Sequence, residues 1–442
     1  MAIFIFLLCC LTAQAEQFEL SLQNAEQQTL QTSDRLKAAT LDVDVVTEQE
    51  GAGFAAILPR LSLNASYTYL STLPSLSVGP GSPNITFGDH NNYSVGPALN
   101  YTLWDTLSSL KSYQALSKLK ESRQQDRIGT ELQLLFSVRA AYVRVQLALE
   151  ELRLVNGSLD LAYAQNKDVS NRFHAGAATK LDTVLSSRQV LGFKLQFQQK
   201  QADLSAALKD LLALIGNKDL KNISQPGPPG VEHVSLVLQL DPLATTLSQL
   251  GRLEISAPTH QQPQIRSLQL LAESSERLAS AQTAKLFPTI QLFASTTLAY
   301  PNGPVLNQIN QNTIGLTLSL PLYLGDPTWH LAASKRLEAE SAKHRAAQLK
   351  TDINRDFSKA REMLDSLREQ QKLAAQDVSQ SAEAARLYYS SYKAGKANLT
   401  DVETANNQAL QSKVGAARID AQILNQMIAL MALSGEKIHE SF

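Results

Sequence analysis

The sequence is short of several residue types, and each shortage excludes a class of protein. Its only two cysteines, Cys9 and Cys10, lie near the start, so the rest of the chain has no thiol for a disulfide or a thiolate metal site. Charged side chains make up only 18% of the chain, and the formal net charge is -1. That balance gives no electrostatic basis for a nucleic-acid partner.

The sequence also lacks the usual signatures of catalysis. Its seven histidines are scattered without ligand spacing. No glycine-rich phosphate loop precedes a helix, and no nucleophile elbow is present. We therefore expect no enzyme, no metal site and no cofactor.

Long apolar runs are scarce too. Ile3 to Leu11 is apolar and is followed by Ala13-Gln14-Ala15, which predicts a secretory signal over residues 1–15. It lacks a basic residue near Met1, and its cysteines do not predict a lipid anchor. Beyond Leu11 no apolar run reaches the roughly 18 residues of a transmembrane helix. If the protein crosses a membrane, it must do so as a β-barrel.

What the sequence does contain is a segment that occurs twice. Arg172 to Asp182 reads RFHAGAATKLD, and Ser391 to Asp401 reads SYKAGKANLTD. The same offset relates Gly96 to Gly315 and Gly216 to Gly435. This self-similarity predicts an internal structural duplication.

The duplication divides the chain into a first repeat over 16–216, a connector over 217–262 that is rich in proline and glycine, and a second repeat over 263–442. Alternating apolar and small polar residues predict two strands in each repeat, at 61–73 and 92–104 and at 289–300 and 312–323. Helical periodicity fills most of the remainder, so the predicted class is α+β, mostly α. The predicted helices are Glu19–Phe54, Asp105–Phe173, Lys180–Ile215, Gln264–Leu286, Thr328–Tyr392 and one between Gly395 and Gly435.

The predicted lengths constrain the assembly. A helix of about 69 residues spans roughly 100 Å, and one of about 36 residues spans roughly 54 Å. Two short helices placed end to end would therefore match one long helix. Four strands of membrane-spanning length cannot close a barrel by themselves, since single-chain barrels start at about eight. The chain would have to oligomerise, or its sheet would be half buried under helices.

This arrangement resembles the TolC family of bacterial outer-membrane efflux proteins. The resemblance rests on the duplicated order of strand entry (Leu58-Pro59-Arg60-Leu61-Ser62-Leu63), long helix and Arg-Phe-x-x-Gly turn. It implies a homotrimer, with four strands per chain in one outer-membrane β-barrel in contact with lipid. A long α-helical barrel would continue it across the periplasm to a periplasmic adaptor protein and an inner-membrane pump.

The resemblance also implies roles for residues at the two turns. Phe173, Gly176, Tyr392 and Gly395 match positions at the periplasmic tip, where the adaptor would dock. Asp401 and Asp182 match acidic residues near the tunnel entrance, where a ring of carboxylates favours cations. Glycine caps and acidic helix starts are also ordinary features of helical hairpins.

Two departures from the family pattern concern the gate. Thr404 stands where relatives place a second carboxylate, and Ala397 where they place a basic linking residue. Of the two turns, the second is our choice for the gate. The strand exits differ as well, because Leu103-Trp104-Asp105-Thr106 and Leu322-Tyr323-Leu324-Gly325 replace the more usual double-glycine segment.

The predicted function is an outer-membrane channel-tunnel that passively conducts substrates from the adaptor and pump to the exterior. The alternatives are the exit duct of a type I protein secretion system and, in a different class, a periplasmic coiled-coil structural or adaptor protein. The residues do not name the cargo.

Overall fold

The computed structural model describes residues 18–76, 79, 85–216, 238–250, 257–258, 262–322 and 327–435. The predicted signal segment, with Cys9 and Cys10, lies outside these residues. Most of the predicted connector and Tyr323 to Gly325 lie outside them as well.

Long helices separate short strands along the chain. Up to residue 216 the elements are β1 (Phe18–Glu19), α1 (Leu22–Thr32), α2 (Asp34–Ala55), β2 (Arg60–Tyr69), β3 (Ser75–Leu76), β4 (Ile85–Thr86), β5 (Asn91–Trp104), α3 (Ser108–His174) and α4 (Lys180–Ile215). After it come β6 (Leu238–Gln239), α5 (Leu243–Leu250), α6 (Pro263–Ala284), β7 (Thr289–Tyr300), β8 (Ile309–Ser319), α7 (Thr328–Lys393) and α8 (Leu399–Ser434).

The prediction of a single helix over Glu19–Phe54 is wrong. The chain leaves the helical conformation at Ser33, which ends α1. The Ser33 hydroxyl then accepts a hydrogen bond from the N–H of Leu36 at 3.4 Å, in the first turn of α2. A serine that caps backbone groups in this way competes with helix continuation.

Two strand bounds also differ from the prediction. The first predicted strand, 61–73, ends as β2 at Tyr69, and the fourth, 312–323, is shifted to Ile309–Ser319. Pro321 has no N–H to donate to a neighbouring strand, which is consistent with β8 ending before it.

The described part of the predicted connector forms secondary structure. β6 pairs in parallel with β1, and α5 follows it. The α3 side chains hold this region: the Tyr142 hydroxyl donates to the carbonyl of Leu20 at 2.9 Å, and Gln146 Nε2 donates to the carbonyl of Asp241 at 2.6 Å. The periodicity of one segment could not reveal such a pairing between distant segments.

One compact unit contains the described residues of Met1–Lys37, Ile128–Gln262 and Lys350–Phe442. Its apolar cores pack α3 against α1 and α4, and α5 against α7 and α8. Buried charges in it are paired. Arg139 Nε lies 2.5 Å from Glu26 Oε1, and the Glu151 carboxylate is held at 2.6 Å by both Lys200 and Arg418. Removing one partner from such a pair leaves an uncompensated buried charge, so these pairs fix how the helices meet.

Side chains from distant segments cap two helix ends in this unit. Gly216 and Gly435, which follow α4 and α8, adopt left-handed conformations with φ of 76° and 75°. The Thr32 hydroxyl donates to the carbonyl of Ile215 at 2.6 Å, and Gln262 Nε2 donates to the carbonyl of Leu433. These bonds satisfy carbonyls that have no partner within their own helix.

The second compact unit contains the described residues of Ala38–Arg127 and Pro263–Leu349. Its antiparallel sheet has the strand order β2-β5-β7-β8, so β2 and β8 are the edges. Residues that stand opposite one another form rows across the sheet. One row is apolar and contains Leu61, Leu99, Ala294 and Ile314; the next is small and mostly polar and contains Ser62, Ala98, Ser295 and Thr313.

Small residues let α3 and α6 approach closely in the second unit. The hydroxyls of Ser108, Ser122 and Ser274 each donate to a backbone carbonyl of the facing helix, at 3.0, 3.0 and 2.7 Å. A larger side chain at these positions would separate the two backbones.

The strand-to-helix exit after β5 explains why α3 begins at Ser108 rather than at the predicted Asp105. Thr106 and Leu107 have positive φ angles of 54° and 65°, and the Asp105 carboxylate accepts the N–H of Ser109 at 2.7 Å. Left-handed conformations are costly for residues with a Cβ. These two residues adjoin the exit where the sequence departs from the family's glycines.

One stretch of α3 is long and apolar enough, by length and composition, to cross a membrane, although no uninterrupted apolar run occurs there. Of this stretch, 56% is buried inside the protein. We therefore assign it to the helical core.

Gly96 provides a test of the sheet. A Cβ built on it would lie 1.8 Å from the carbonyl oxygen of Thr296 in the neighbouring strand, and a backbone atom cannot move aside by changing rotamer. We expect Gly96→Ala to destabilise the fold by about 2 kcal/mol or more. Gly415→Ala is the matched control, because a Cβ there meets no atom within 4 Å. The midpoint of thermal unfolding measures both, and an unchanged midpoint for Gly96→Ala would contradict the close approach of β5 and β7.

Candidate functional site at the two hairpin turns

Two tight turns join the long helices to the shorter ones that follow them. Gly176 lies between α3 and α4, Gly395 lies between α7 and α8, and both have φ of 73°. In each turn the glycine N–H donates to the carbonyl of the aromatic residue three positions earlier, Phe173 or Tyr392, at 3.0 Å. Glycine is favoured because it reaches positive φ without steric cost.

The predicted entrance residues Asp182 and Asp401 both cap a helix. Asp182 Oδ2 accepts hydrogen bonds from the N–H and the hydroxyl of Thr179, each at 2.8 Å. Asp401 Oδ2 accepts from the N–H of Asn398 at 3.2 Å. Each carboxylate thus has a local structural role, and an anion near a helix N-terminus is favourable. Asp401 is exposed and Asp182 is half buried.

The two aromatic residues of the predicted tip differ in their surroundings. Phe173 is 37% exposed, with Lys180 Nζ 5.7 Å from the centre of its ring. Tyr392 packs against an apolar cluster of Val169, Leu399 and Val402, and its buried hydroxyl has no hydrogen-bond partner among the described residues. Burial raises the pKa of the Tyr392 hydroxyl. Only Phe173 therefore presents much of its ring to a docking partner.

A polar cluster ties the last turns of α3 and α7 together. Asp168 Oδ2 accepts the Tyr389 hydroxyl at 2.9 Å and Arg172 Nε at 3.2 Å. Arg172 also donates to the carbonyl of Lys393 at 3.3 Å, and its guanidinium lies 5.9 Å from the centre of the Tyr392 ring. Burial and the nearby Asp168 carboxylate raise the pKa of Tyr389 to about 12, so its hydroxyl stays a donor at neutral pH.

Sequence reasoning did not find this cluster. Its members are ordinary polar residues at the ends of two amphipathic helices, and the partners from the two helices are 221 positions apart in the chain. An aromatic residue and an arginine near each other at a helix end were the only available signal, and they do not identify their partner.

Thr404, which stands where relatives place a second carboxylate, has an uncharged side chain that bonds within its own helix. The Thr404 hydroxyl donates to the carbonyl of Thr400 at 2.9 Å, within its own helix. The neighbouring Glu403, which the sequence analysis did not single out, is instead 6% exposed and faces Arg188 of α4 at 3.5 Å. Its Oε1 atom has no hydrogen-bond partner among the described residues.

Within the part of the chain that the structure describes, no group of three histidine, cysteine, aspartate or glutamate side chains converges as a metal site would. The turns therefore offer hydrogen-bonding, ionic and aromatic groups for contact with a partner or a passing solute.

Comparison with known families identifies this architecture. The family model described as outer membrane efflux protein matches residues 25–217 and 255–436, which is most of the chain. The chain belongs to the outer membrane efflux protein family. The predicted resemblance to TolC-type channels is thereby confirmed.

Solved structures show the same fold at low sequence identity. The chain is similar to the CmeC outer membrane channel of Campylobacter jejuni, with a TM-score of 0.75, 17% identity, and coverage of 94% of this chain and 85% of that one. It is similar to the outer membrane protein VceC of Vibrio cholerae, with a TM-score of 0.74, 16% identity, and coverage of 94% and 96%. A membrane protein from Pseudomonas aeruginosa gives a TM-score of 0.74, 18% identity, and coverage of 94% and 93%. No protein with a curated description matched the chain in a sequence search.

Glu403 gives a pH-dependent prediction. Burial raises the pKa of its carboxyl, and Arg188 offsets this only in part. Because the pKa of Glu403 is higher in the folded state than in the unfolded state, its protonated form favours folding. This contribution to the free energy of unfolding is fully present below about pH 4 and is lost as the pH rises through the folded-state pKa of Glu403. We expect Glu403→Gln to stabilise this efflux-family protein by about 1 kcal/mol at pH 7.5 and to change little at pH 4.

The matched control is Glu369→Gln, which removes an exposed pair with Lys372. It should have little effect at either pH, because exposed pairs contribute little. Denaturant unfolding at the two pH values measures both variants. A destabilised Glu403→Gln protein at pH 7.5 would show that the ion pair outweighs the burial of the carboxylate.

Proposed function

We propose that three copies of this chain form a channel-tunnel of a tripartite efflux pump. Its sheets form one twelve-stranded barrel in the outer membrane, and its helices form a tunnel in the periplasm. A periplasmic adaptor and an inner-membrane transporter deliver the substrate, and the tunnel conducts it passively to the exterior.

The edge strands carry this proposal. Large apolar side chains project from both: Leu61 and Leu63 of β2 are 75% and 74% exposed, and Ile314 of β8 is 77% exposed. An edge with unpaired backbone groups and exposed apolar side chains would be unstable alone in water. Pairing β8 of one copy with β2 of the next satisfies both edges, and repetition of one heterologous contact closes into a ring.

The rows of the sheet support a membrane location. In a closed barrel, the apolar row that includes Leu99 faces lipid and the small polar row that includes Ser295 faces the lumen, as in outer-membrane barrels. Small polar groups bind no particular solute strongly. That suits a duct whose selectivity comes from its transporter.

The helices have the lengths that a periplasmic tunnel requires. α3 and α7 contain 67 and 66 residues, which corresponds to roughly 100 Å each at the usual helical rise. Each repeat would supply two rows of helix along the tunnel: one long helix, and two shorter helices placed end to end. Each such row is a helical column. Three copies of the duplicated plan then give twelve columns.

In this proposal the hairpin turns lie at the periplasmic tip. The surface for adaptor docking comprises Phe173 with Gly176 and Tyr392 with Gly395, and Phe173 offers it more ring surface than Tyr392 does. Asp401 and Asp182 line the entrance, with Asp401 as the principal gate residue because it is the more exposed. The cluster around Asp168 holds the two hairpins of one chain together.

Planar bilayers test the function directly. The purified protein should insert and give discrete, cation-preferring conductance steps, and it should migrate differently on gels before and after heating in detergent. Absence of conductance together with fractionation as a water-soluble protein would contradict the proposal and would favour the periplasmic structural alternative.

The same measurement tests the gate. Asp401→Asn keeps an oxygen that can accept the Asn398 N–H and removes only the charge. We expect it to lower the cation preference severalfold, since charged rings set selectivity in pores. Asp182→Asn is the matched variant in the first turn and should have the smaller effect. Equal effects of both, or none, would remove Asp401 as the gate residue.

A further inference from the structure

A groove among four helices lies close to the cluster around Asp168. It is lined by side chains of α3, α7 and α8 and by Phe193 of α4, and its volume is about 350 Å³. Sites for small molecules usually begin at about 300 Å³ and combine apolar walls with a few polar groups. All of its lining residues belong to one compact unit of a single chain.

All the charged residues that line this four-helix groove are basic. Arg386, Lys393 and Lys413 line it, and none of its lining residues is acidic. That is unusual in a chain with 40 basic and 41 acidic residues. Lys413 has no acidic partner among the described residues, and an exposed ammonium with no partner is available to an anion.

The other two cations are only partly engaged. Arg386 forms a bidentate pair with exposed Glu383 at 2.6 and 2.8 Å. Lys393 Nζ lies 4.9 Å from the centre of the Tyr389 ring. Exposed pairs of both kinds are weak. A ligand anion can therefore compete for these side chains.

The remaining walls suit an apolar body. Leu161, Phe193 and Leu410 present hydrocarbon and aromatic surface to the groove, and Tyr389 adds a second ring. Asn406 Nδ2 donates to Gln165 Oε1 at 2.9 Å, so the other half of each amide stays available for a polar group of a ligand.

We propose that the four-helix groove binds an anionic amphiphile, a molecule with one sulfonate, carboxylate or phosphate group on an apolar aromatic or aliphatic body. Lys413 is the principal contact for the anionic group, with Arg386 and Lys393 beside it, and Phe193 and Leu410 hold the apolar body. The site lies within one chain, but its test in nanodiscs rests on the proposed membrane function. Loss of dye binding in a protein that still conducts ions would count against the site alone.

The ligand would also touch groups that join the two hairpins. Tyr389 lines the groove while its hydroxyl donates to Asp168, and the carbonyl of Lys393 accepts from Arg172. A bound amphiphile should therefore slow amide exchange in the last turn of α7 and in the turn at Gly395.

The test compares two dyes that differ by one charge. We expect 8-anilino-1-naphthalenesulfonate to bind the purified protein in lipid nanodiscs, above the signal of empty nanodiscs, and Lys413→Glu to weaken its binding on the order of tenfold. N-phenyl-1-naphthylamine has the same rings without the sulfonate. Its binding should not change in Lys413→Glu.

Two further variants sharpen the result. Glu383→Gln releases the Arg386 guanidinium and should strengthen binding of the sulfonate dye. Lys372→Glu changes another exposed lysine, in α7, that does not line the groove, and it should leave binding unchanged. Equal weakening by Lys413→Glu and Lys372→Glu, or no binding above empty nanodiscs, would overturn the proposal.

Discussion

Two open edges on a four-stranded sheet constrain the whole molecule. Hydrogen-bonding groups along β2 and β8 have no partner strand within the described part of the chain, and the side chains beside them are among its most exposed apolar groups. Water solvates unpaired backbone groups but not leucine or isoleucine side chains, and lipid does the reverse. Only pairing the edges within an apolar medium satisfies both requirements. This constraint favours a ring of paired copies. The choice of three copies, with an adaptor and a transporter, is the proposal that membership of the family supports.

In the helical part, the constraint is different: the long helices must keep a fixed register although they share only modest apolar surface. Buried ion pairs such as Arg139–Glu26 cost desolvation and are weak sources of stability, but they penalise any arrangement that separates the partners. The network of Glu151, Lys200 and Arg418 joins α3, α4 and α8 in the same way. At the hairpin turns, the Asp168 cluster links α3 and α7, while Glu403 leaves an unsatisfied oxygen between α4 and α8. The same end of the helical unit thus contains one satisfied polar cluster and one buried oxygen whose desolvation is uncompensated.

Local chemistry decided which features were predictable. The bounds of α4 were predicted because Thr179 and Asp182 form a capping box and Gly216 ends the helix, all within the segment itself. Alternation predicted the four main strands, although not their ends.

The break at Ser33 was missed because one serine in a helical pattern is a weak signal. The pairing of β1 with β6, the Asp168 cluster and the burial of Glu403 each depend on residues far apart in the chain, and one sequence contains no signal for such contacts. The groove was missed for the same reason, since its three cations lie on two helices.

Cross-linking between the edge strands tests the central claim most directly. Asn64→Cys on β2 would be combined in turn with Gln311→Cys, Thr313→Cys or Thr317→Cys on β8, all on the small polar face, in a chain that has no other cysteine once residues 1–15 are removed. At least one pair should oxidise into covalent species of two and three chains on a non-reducing denaturing gel, with no larger species. The control pair Asn100→Cys and Phe293→Cys joins neighbouring strands of one sheet and should give only monomer. Monomer alone from every edge pair, or a ladder that continues beyond three chains, would contradict a closed three-chain barrel.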